Sequence, residues 1–285
     1  MSLFAISYPA IDPVAFHLGP LSVRWYGLAY MAGLLLGWWY VKRLVADTRL
    51  WRDGKPPFGP LVADDLLLWL TLSVVVGGRL GQVLLYDPGY YFQNPSQIFA
   101  VWKGGMAFHG ALIGSILAMV AFARYYEVPM LSVWDLAAAA VPLGHLIGRH
   151  ANIINAEHYG PPGDVPWAMA FCNDVVRAMS DGDCPAGLVP RHPSQLYEAA
   201  LEGLVMFALL RFLTHHRFAL RQPGLVAGAF GIWYAVARTI AEFFRDPEPF
   251  HALNIGWITA GQLYSLPLLA LGIWLVWQAS RKAAA

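Results

Sequence analysis

Apolar residues fill long stretches of this chain, and short polar stretches separate them. A helix that spans a bilayer needs roughly 17–25 predominantly apolar residues. The stretches that meet this requirement are Val23–Val45, Asp64–Leu85, Met106–Tyr125, Leu131–Gly148, Gln195–Leu213, Gly224–Glu242 and Trp257–Trp277. The pattern predicts an all-α polytopic membrane protein with about seven transmembrane helices. Leu131–Gly148 is short and contains Pro142 and His145, which makes it the poorest match to the pattern.

Composition supports the same class of protein. Hydrophobic residues make up 58% of the chain and charged residues 13%, whereas soluble domains carry about 25% charged residues. The net charge of +1 argues against a nucleic-acid partner. Met1–Leu21 lacks a basic start, a long apolar run and a small-residue cleavage site, so we expect no cleaved signal peptide.

The basic residues predict an orientation, because cytoplasmic loops are enriched in Lys and Arg. Eleven of them follow the first, third, fifth and seventh stretches, which places the C-terminus in the cytoplasm and the N-terminus outside: Lys42, Arg43, Arg49, Arg52, Lys55, Arg124, Arg211, Arg217, Arg221, Arg281 and Lys282. The other eight lie on or near the outer side: Arg24, Arg79, Lys103, Arg149, Arg177, Arg191, Arg238 and Arg245. An anionic ligand or anchoring to lipid headgroups would explain these eight.

The longest interruption, residues 149–194, predicts a small head inserted into a single integral-membrane domain, 1–285. It contains both cysteines, Cys172 and Cys184, whose spacing allows a disulfide in an oxidising compartment. Such a bond would be a structural staple. The paired short ligand spacings of a zinc site are absent from the sequence, so we expect no metal and no cofactor.

The most polar cluster runs from Gly148 to Gly160, directly after the fourth apolar stretch. Arg149 supplies a planar, permanently charged fork that suits a phosphate. Asn152 and Asn155 would share a face if the segment is helical, and Glu157 could pair with an arginine. Charges beside hydrocarbon are costly, so a catalytic or ligand site is favoured over a polar helix cap.

Three residues of the sixth stretch step by four and therefore share one helical face: Tyr234, Arg238 and Glu242. An arginine and a glutamate four apart can be a purely structural pair. Ionisable residues within a membrane segment nevertheless favour a functional site.

Two further clusters contain a candidate site residue. His109 follows the glycines that open the third stretch and could titrate near neutral pH; hydrogen bonding to a carbonyl is an equal alternative. Tyr26 belongs to Arg24–Gly27, which by itself is typical of an interfacial aromatic belt.

A polar group opens the fifth stretch, and helix capping explains only Pro193 and Ser194 within it. Capping leaves four neighbours at the membrane edge unexplained: His192, Gln195, Tyr197 and Glu198.

The Gly148–Gly160 cluster resembles the signature of bacterial prolipoprotein diacylglyceryl transferases. The matching positions are Gly148, Arg149, Ala151, Asn152, Ile154, Asn155, Glu157 and Gly160. Ile153 replaces the usual Phe, and Pro161 stands where many members have a basic residue. Four other segments look like family landmarks in the family's order: Arg24–Gly27, Phe108–Gly110, His192–Glu198 and Glu242–Arg245.

This resemblance implies a bacterial inner-membrane enzyme with seven helices, a periplasmic N-terminus, a cytoplasmic C-terminus and an active site toward the periplasm. The family transfers the diacylglyceryl group of phosphatidylglycerol to the lipobox cysteine of a preprolipoprotein and releases glycerol phosphate. The implied partners are therefore phosphatidylglycerol, the lipobox peptide and the membrane bilayer.

The resemblance and the chemistry together suggest roles for individual residues. The candidate catalytic residues are His109, Arg149, Tyr234 and Arg238. Both arginines would bind the phosphate, while His109, then Tyr234, would be the general base or proton shuttle. The candidate substrate-binding residues are Tyr26, Asn152, Asn155, Glu157, Gly160, His192 and Glu242. Within this set, Glu157 and Glu242 are expected to hold the arginines. A transporter is the main alternative, although the chain shows no repeated halves.

Overall fold

The structure is a computed structural model that describes residues 6–19, 21–101, 104–246 and 259–284. Lys103 and the start of the seventh predicted stretch, Trp257–Ile258, lie outside the described residues.

Helices dominate the described chain, and every predicted apolar stretch overlaps a long helix or a run of consecutive helices. The helices are α1 Trp25–Ala46, α2 Val62–Gly81, α3 Pro88–Gln93, α4 Phe108–Tyr125, α5 Met130–Ile154, α6 Asp174–Met179, α7 Ser194–Glu198, α8 Met206–His216, α9 Leu225–Glu242 and α10 Ala260–Ala284. Two π-helical segments, Gln82–Tyr86 and Ala199–Val205, extend α2 and join α7 to α8.

Four described helical segments are long and apolar enough to cross a membrane: Val62–Tyr86, Phe108–Tyr125, Met130–Ile154 and Ala260–Arg281. Large apolar side chains such as Leu68, Leu72 and Leu117 are exposed on these helices, as lipid-facing residues would be. The protein is therefore a helical membrane protein. The number of seven spans stays a prediction.

Helix α5 differs from its prediction, because it continues past Gly148 and ends only at Ile154. Asn152 and Ile153 are buried in this last part. The Tyr8 hydroxyl donates to the terminal carbonyl oxygens of Ile153 and Ile154, at 2.5 and 2.9 Å. These tertiary contacts stabilise polar turns that hydropathy alone does not predict. Residues 149–154 therefore belong to the helix, and the remaining residues 155–193 are called the head below.

Four short strands accompany the helices in the described residues. Strand β1, Ile6–Ser7, pairs in parallel with β4, Met169–Ala170, which ties the N-terminal segment to the head. Strands β2, Val14–Leu18, and β3, Leu21–Arg24, form an antiparallel hairpin that leads directly into α1. Two-residue strands such as β1 and β4 are too short to show the alternation by which strands are recognised in a sequence.

The head has its own small core, which contains Tyr8, Phe171, Val176 and Ala186. Cys172 and Cys184 are joined by a disulfide beside this core. Burial raises the pKa of the Tyr8 hydroxyl to about 12, so this group is a neutral hydrogen-bond donor at physiological pH.

Glycines allow three pairs of long helices to approach closely, as is common in membrane bundles. A Cβ at Gly81 would lie 2.7 Å from the Cα of Gly110, so α2 and α4 touch through their backbones. The other two close pairs are Gly33 with Gly144, between α1 and α5, and Gly228 with Gly272, between α9 and α10.

Asp135 of α5 is fully buried and accepts hydrogen bonds from the amides of Gly224 and Ala227, at 2.7 and 2.8 Å. It satisfies amides at the start of α9, where a helix has unpaired donors and a partial positive charge. This contact fixes α9 against α5 and thereby aligns the two helices that carry the predicted arginines.

Candidate active site

Three arginines from different parts of the chain converge on Glu198, the last residue of α7. The Nε of Arg149 lies 2.7 Å from Glu198 Oε2. Nη1 of Arg238 and Nη1 of Arg245 lie 3.4 and 3.3 Å from Glu198 Oε1. The glutamate is fully buried, and each arginine side chain is less than one-fifth exposed. We call these four residues, together with Glu202 and Glu242, the arginine cluster.

Glu202 and Glu242 complete the arginine cluster. Glu202 lies 3.6 Å from Nη2 of Arg149 and 3.7 Å from Nη1 of Arg238. Glu242 contacts Nη2 of Arg238 at 2.6 Å, one helical turn away on α9, as the sequence predicts. Three guanidinium and three carboxylate groups therefore balance in formal charge.

Local structure brings these groups together at the end of α5. Ser194 donates to the carbonyl of His158, and Gln195 donates to that of Glu157 at 2.6 Å. These bonds fasten the start of α7 to the segment that follows α5, so that Glu198 faces Arg149. The chain continues from Glu198 into the π-helical segment Ala199–Val205, which contains Glu202.

Among the described residues, the contacts of the Glu157 carboxylate are with two asparagines, whereas the sequence predicts that it holds an arginine. Its carboxylate accepts from the side-chain amides of Asn152, at 2.7 Å, and Asn155, at 3.2 Å. Ala156 has a positive φ of 52°, and this turn folds Glu157 back onto the end of α5. The two asparagines are thus brought together as predicted, with the glutamate as their common partner.

Tyr234 lies one turn before Arg238 on α9, beside the arginine cluster. Its ring meets the ring of His145 edge-on at 5.8 Å. Its hydroxyl lies within electrostatic range of Arg149, Arg238 and Glu202. The placement of Tyr234 one turn before Arg238 agrees with the helical spacing in the sequence.

His109 lies outside the arginine cluster and is connected to it through α10. Its Nδ1 is 2.8 Å from the hydroxyl of Tyr86, and its ring contacts that of Tyr264 at 6.0 Å. One turn before Tyr264 on α10, Gly261 packs against Arg238 and the Glu242 carboxylate. His109 is exposed, so it is open to a ligand that approaches along this side of α10.

Tyr26 and the head flank the cluster on another side. The Tyr26 hydroxyl lies 3.1 Å from that of Tyr30 and within electrostatic range of Arg149 and Glu157. A cleft of about 280 Å³ borders Asn155 and Glu157, and Arg24 also lines it.

His192 and Gly160 lie in the head, where they make hydrogen bonds and close packing contacts. His192 Nδ1 lies 3.0 Å from the Tyr197 hydroxyl, which accepts from the indole of Trp167 at 2.7 Å. The Gly160 amide donates to the His192 carbonyl, and a Cβ on Gly160 would collide with the carbonyl oxygen of Phe244. Only glycine fits at this close backbone approach.

Two of the outer basic residues are fully engaged by protein groups. Arg79 is buried and donates to the carbonyls of Gln97, Ile98, Ala100, Gly104 and Gly105. Arg191 pairs with Asp246 at 2.8 Å and donates to two carbonyls. These contacts account for both residues without an anion. Arg149 and Arg238 differ because they lie together, within 4 Å of the same two carboxylates, so that both guanidinium groups can approach one phosphate.

Sequence reasoning missed Glu202 and His145 as site residues. His145 Nδ1 lies 3.4 Å from Glu202 Oε2. Glu202 could have been found in the sequence, because it is an ionisable residue within the apolar fifth stretch and such residues favour a functional site. Glu198 was noted as unexplained by capping, but its contact with three arginines depends on the tertiary fold. Among the described residues, no group of three or more His, Cys, Asp or Glu could hold a metal.

The guanidinium groups of Arg149 and Arg238 are both oriented by carboxylates, and Tyr234 lies on the same helical face as Arg238. Such groups can bind a phosphate and stabilise negative charge that develops on its oxygen.

Comparison with known proteins extends this local picture to the whole chain. Residues 13–278 match the family model described as prolipoprotein diacylglyceryl transferase. Proteins of Brucella canis, Brucella ovis and Brucella abortus are each 48% identical over 281 residues, which covers 98% of this chain and 96% of each relative. All three are named phosphatidylglycerol–prolipoprotein diacylglyceryl transferase. The chain belongs to the prolipoprotein diacylglyceryl transferase family.

Proposed function

We propose that this protein transfers the diacylglyceryl group of phosphatidylglycerol to the thiol of the lipobox cysteine in a prolipoprotein. The names of its near-full-length relatives support this reaction. The observation that carries it within the fold is the convergence of Arg149 and Arg238 on buried carboxylates beside Tyr234. A phosphodiester is the part of the lipid that such a pair recognises.

The transfer step forms a carbon–sulfur bond and breaks a carbon–oxygen bond. The cysteine sulfur attacks a glycerol carbon of the lipid, and the bond from that carbon to a phosphate oxygen breaks. Glycerol phosphate leaves, and the peptide carries a thioether-linked diacylglyceryl group. Negative charge grows on the departing phosphate, where Arg149 and Arg238 stabilise it.

The thiol must lose its proton, because the thiolate is the nucleophile. His109 is the proposed base or proton shuttle, since it is exposed and the Tyr86 hydroxyl orients its ring. Tyr234 is the second candidate, because it lies beside both arginines.

The remaining candidates position the substrate around the arginines. Tyr26, Asn152 and Asn155 orient the lipid headgroup, and Glu157 holds the two asparagines. Glu242 fixes Arg238. Gly160 and His192 shape the adjoining head, where the peptide approaches.

The proposed setting is the bacterial inner membrane, with seven spans in a single integral-membrane domain, 1–285. The 149–194 segment, the N-terminus and the active site face the periplasm, and the C-terminus faces the cytoplasm. The match between predicted stretches and long helices supports this topology, as does the distribution of basic residues. Cysteine labelling in intact cells would test it. Single cysteines at Asp181 and Lys55 should react with an impermeant reagent only at position 181.

A transfer assay tests the reaction directly. Purified protein is mixed with phosphatidylglycerol that carries a labelled diacylglyceryl group and with a synthetic lipobox peptide, and the peptide is analysed by mass spectrometry. We expect a mass gain at the cysteine that Arg149→Ala abolishes and that a Cys→Ser peptide lacks. Lipid binding without any mass gain would instead point to an anion-binding transporter.

A further inference from the structure

Glu202 lies in a position that is costly for a carboxylate. It is fully buried within the apolar fifth stretch, on the π-helical segment Ala199–Val205. Its ionisable neighbours are His145 at 3.4 Å, Arg149 at 3.6 Å and Arg238 at 3.7 Å. Segments of π-helix occur often at functional sites.

Stability alone is a poor explanation for this carboxylate. Its three ionisable partners lie 3.4–3.7 Å from the Glu202 carboxylate, which is longer than the usual charge-assisted hydrogen bond. Burying a carboxylate costs on the order of several kcal/mol because it loses its hydration. This cost offsets the attraction within a buried ion pair, so such pairs often contribute little net stability. The proximity of Arg149 and Arg238 therefore indicates that Glu202 helps to position these two arginines.

Glu198 and Glu202 bridge the same two arginines. Each carboxylate lies within 4 Å of both Arg149 and Arg238, which come from α5 and α9. Two guanidinium groups at this proximity repel each other, and one shared carboxylate leaves them free to pivot about it. A second shared carboxylate removes that freedom.

We propose that Glu202 is a positioning residue, whose carboxylate fixes Arg149 and Arg238 as a single two-guanidinium site for the phosphate of the lipid donor. This inference rests on the proposed function. It adds a residue to which neither helical spacing nor the signature motif assigns a role.

The proposal predicts opposite effects on binding and on chemistry. Glu202→Gln keeps the side-chain size and removes one negative charge, so the cluster becomes more attractive to an anion. The Michaelis constant for phosphatidylglycerol should therefore stay the same or fall. The donors would no longer be aligned with the departing phosphate oxygen, so kcat should fall by roughly 10- to 100-fold.

The test is the transfer assay with kcat and KM measured separately for the wild type and for Glu202→Gln. Asp64→Asn is the matched control, because it removes a carboxylate from an ion pair with Lys42 on another part of the bundle. It should leave both constants unchanged. A lower kcat without a higher KM supports the proposal, whereas unchanged constants, or a higher KM alone, would overturn it.

Glu202→Asp is a second variant that tests the proposal if Glu202→Gln does not fold. It retains the charge and withdraws it by one methylene, so kcat should lie below that of the wild type and, where both variants fold, above that of Gln. Full activity of the Asp variant, or activity no better than that of a folded Gln variant, would contradict positioning by the carboxylate. A wild type without transfer activity would reject the proposed function itself.

Discussion

The planar group of Arg149 is oriented by two carboxylates, with Nε on Glu198 and Nη2 on Glu202. Lysine keeps the charge but has neither the planar fork nor the second donor. We predict that Arg149→Lys lowers kcat/KM by roughly 100-fold, the usual effect of losing one oriented donor to a developing anion.

Transfer kinetics would check this prediction, with Arg43→Lys as the charge-conserving control. Arg43 lies in the last turn of α1, where it stacks over the ring of Trp39. If Arg149→Lys retained near-normal turnover, the guanidinium would be only a charged anchor.

A second residue-scale prediction concerns Tyr8, whose hydroxyl donates to the last carbonyls of α5. Tyr8→Phe should destabilise the protein by about 1 kcal/mol, the usual contribution of one such bond. Because burial raises the pKa of Tyr8 from 10.0 to about 12, the neutral hydroxyl contributes its full stability below pH 10. That contribution is lost as the pH rises to about 12.

Thermal unfolding of both proteins between pH 8 and pH 12 in matched detergent would measure this effect. The advantage of the wild type should be constant up to about pH 10 and shrink above it. An advantage that does not change with pH would show that the hydroxyl does not titrate as described.

One face of the site was predictable at the residue scale from helical spacing alone. Tyr234, Arg238 and Glu242 lie on one face of α9, as their four-residue steps require, whereas the approach of Arg149 from α5 depends on the tertiary fold. The contacts of Glu157 with Asn152 and Asn155 were not predicted, because they depend on a turn with a positive φ at Ala156 that no spacing rule anticipates. Glu202 was missed because its partners come from α5 and α9.

At the element scale, the backbone contact between α2 and α4 sets where α4 begins and hence where His109 lies. A Cβ at Gly110 would lie 2.7 Å from the Cα of Gly81, and relief requires the helices to separate. We predict that Gly110→Ala costs about 1–3 kcal/mol, as overpacking does. It should also lower turnover through the displaced His109.

Gly89→Ala is the control for this substitution, because a Cβ there meets no atom within 4 Å. Thermal stability and kcat should both stay at wild-type values in the control. Wild-type stability in Gly110→Ala would mean that the two helices can adjust without cost.

Helix existence was predictable in every apolar stretch, because hydropathy reports composition over many residues. Helix ends were less predictable, and α5 shows why. Its last turns are polar, and they stay helical because Asn152 and Ile153 are buried and Tyr8 binds the terminal carbonyls. Those contacts come from a segment about 145 residues earlier in the chain, beyond the reach of any local pattern.

At the scale of the whole molecule, the disulfide should stabilise the head without affecting the helical bundle. It closes a short loop, with a sequence separation of 12, beside the small core of Tyr8, Phe171 and Val176. A disulfide that closes a loop of about this length stabilises the folded state by roughly 3 kcal/mol. We predict that Cys172→Ser with Cys184→Ser speeds hydrogen exchange in the head and leaves α2 and α4 unchanged.

Hydrogen exchange followed by mass spectrometry would resolve these regions, and the oxidised wild type in the same detergent provides the reference. An equal loss of protection across the bundle would show that head and helices unfold as one unit.

The pairing of β1 with β4 has a consequence for how the protein is made. Ile6 emerges from the ribosome before α1, whereas its partner Met169 follows α5. At typical synthesis rates of about 5–20 residues per second, roughly 10–30 seconds separate the two. During that interval β1 has no partner strand, so the segment that carries Tyr8 is not yet paired with the head. The nascent chain therefore inserts its first helices into a lipid-rich membrane before the site that acts on lipid is assembled.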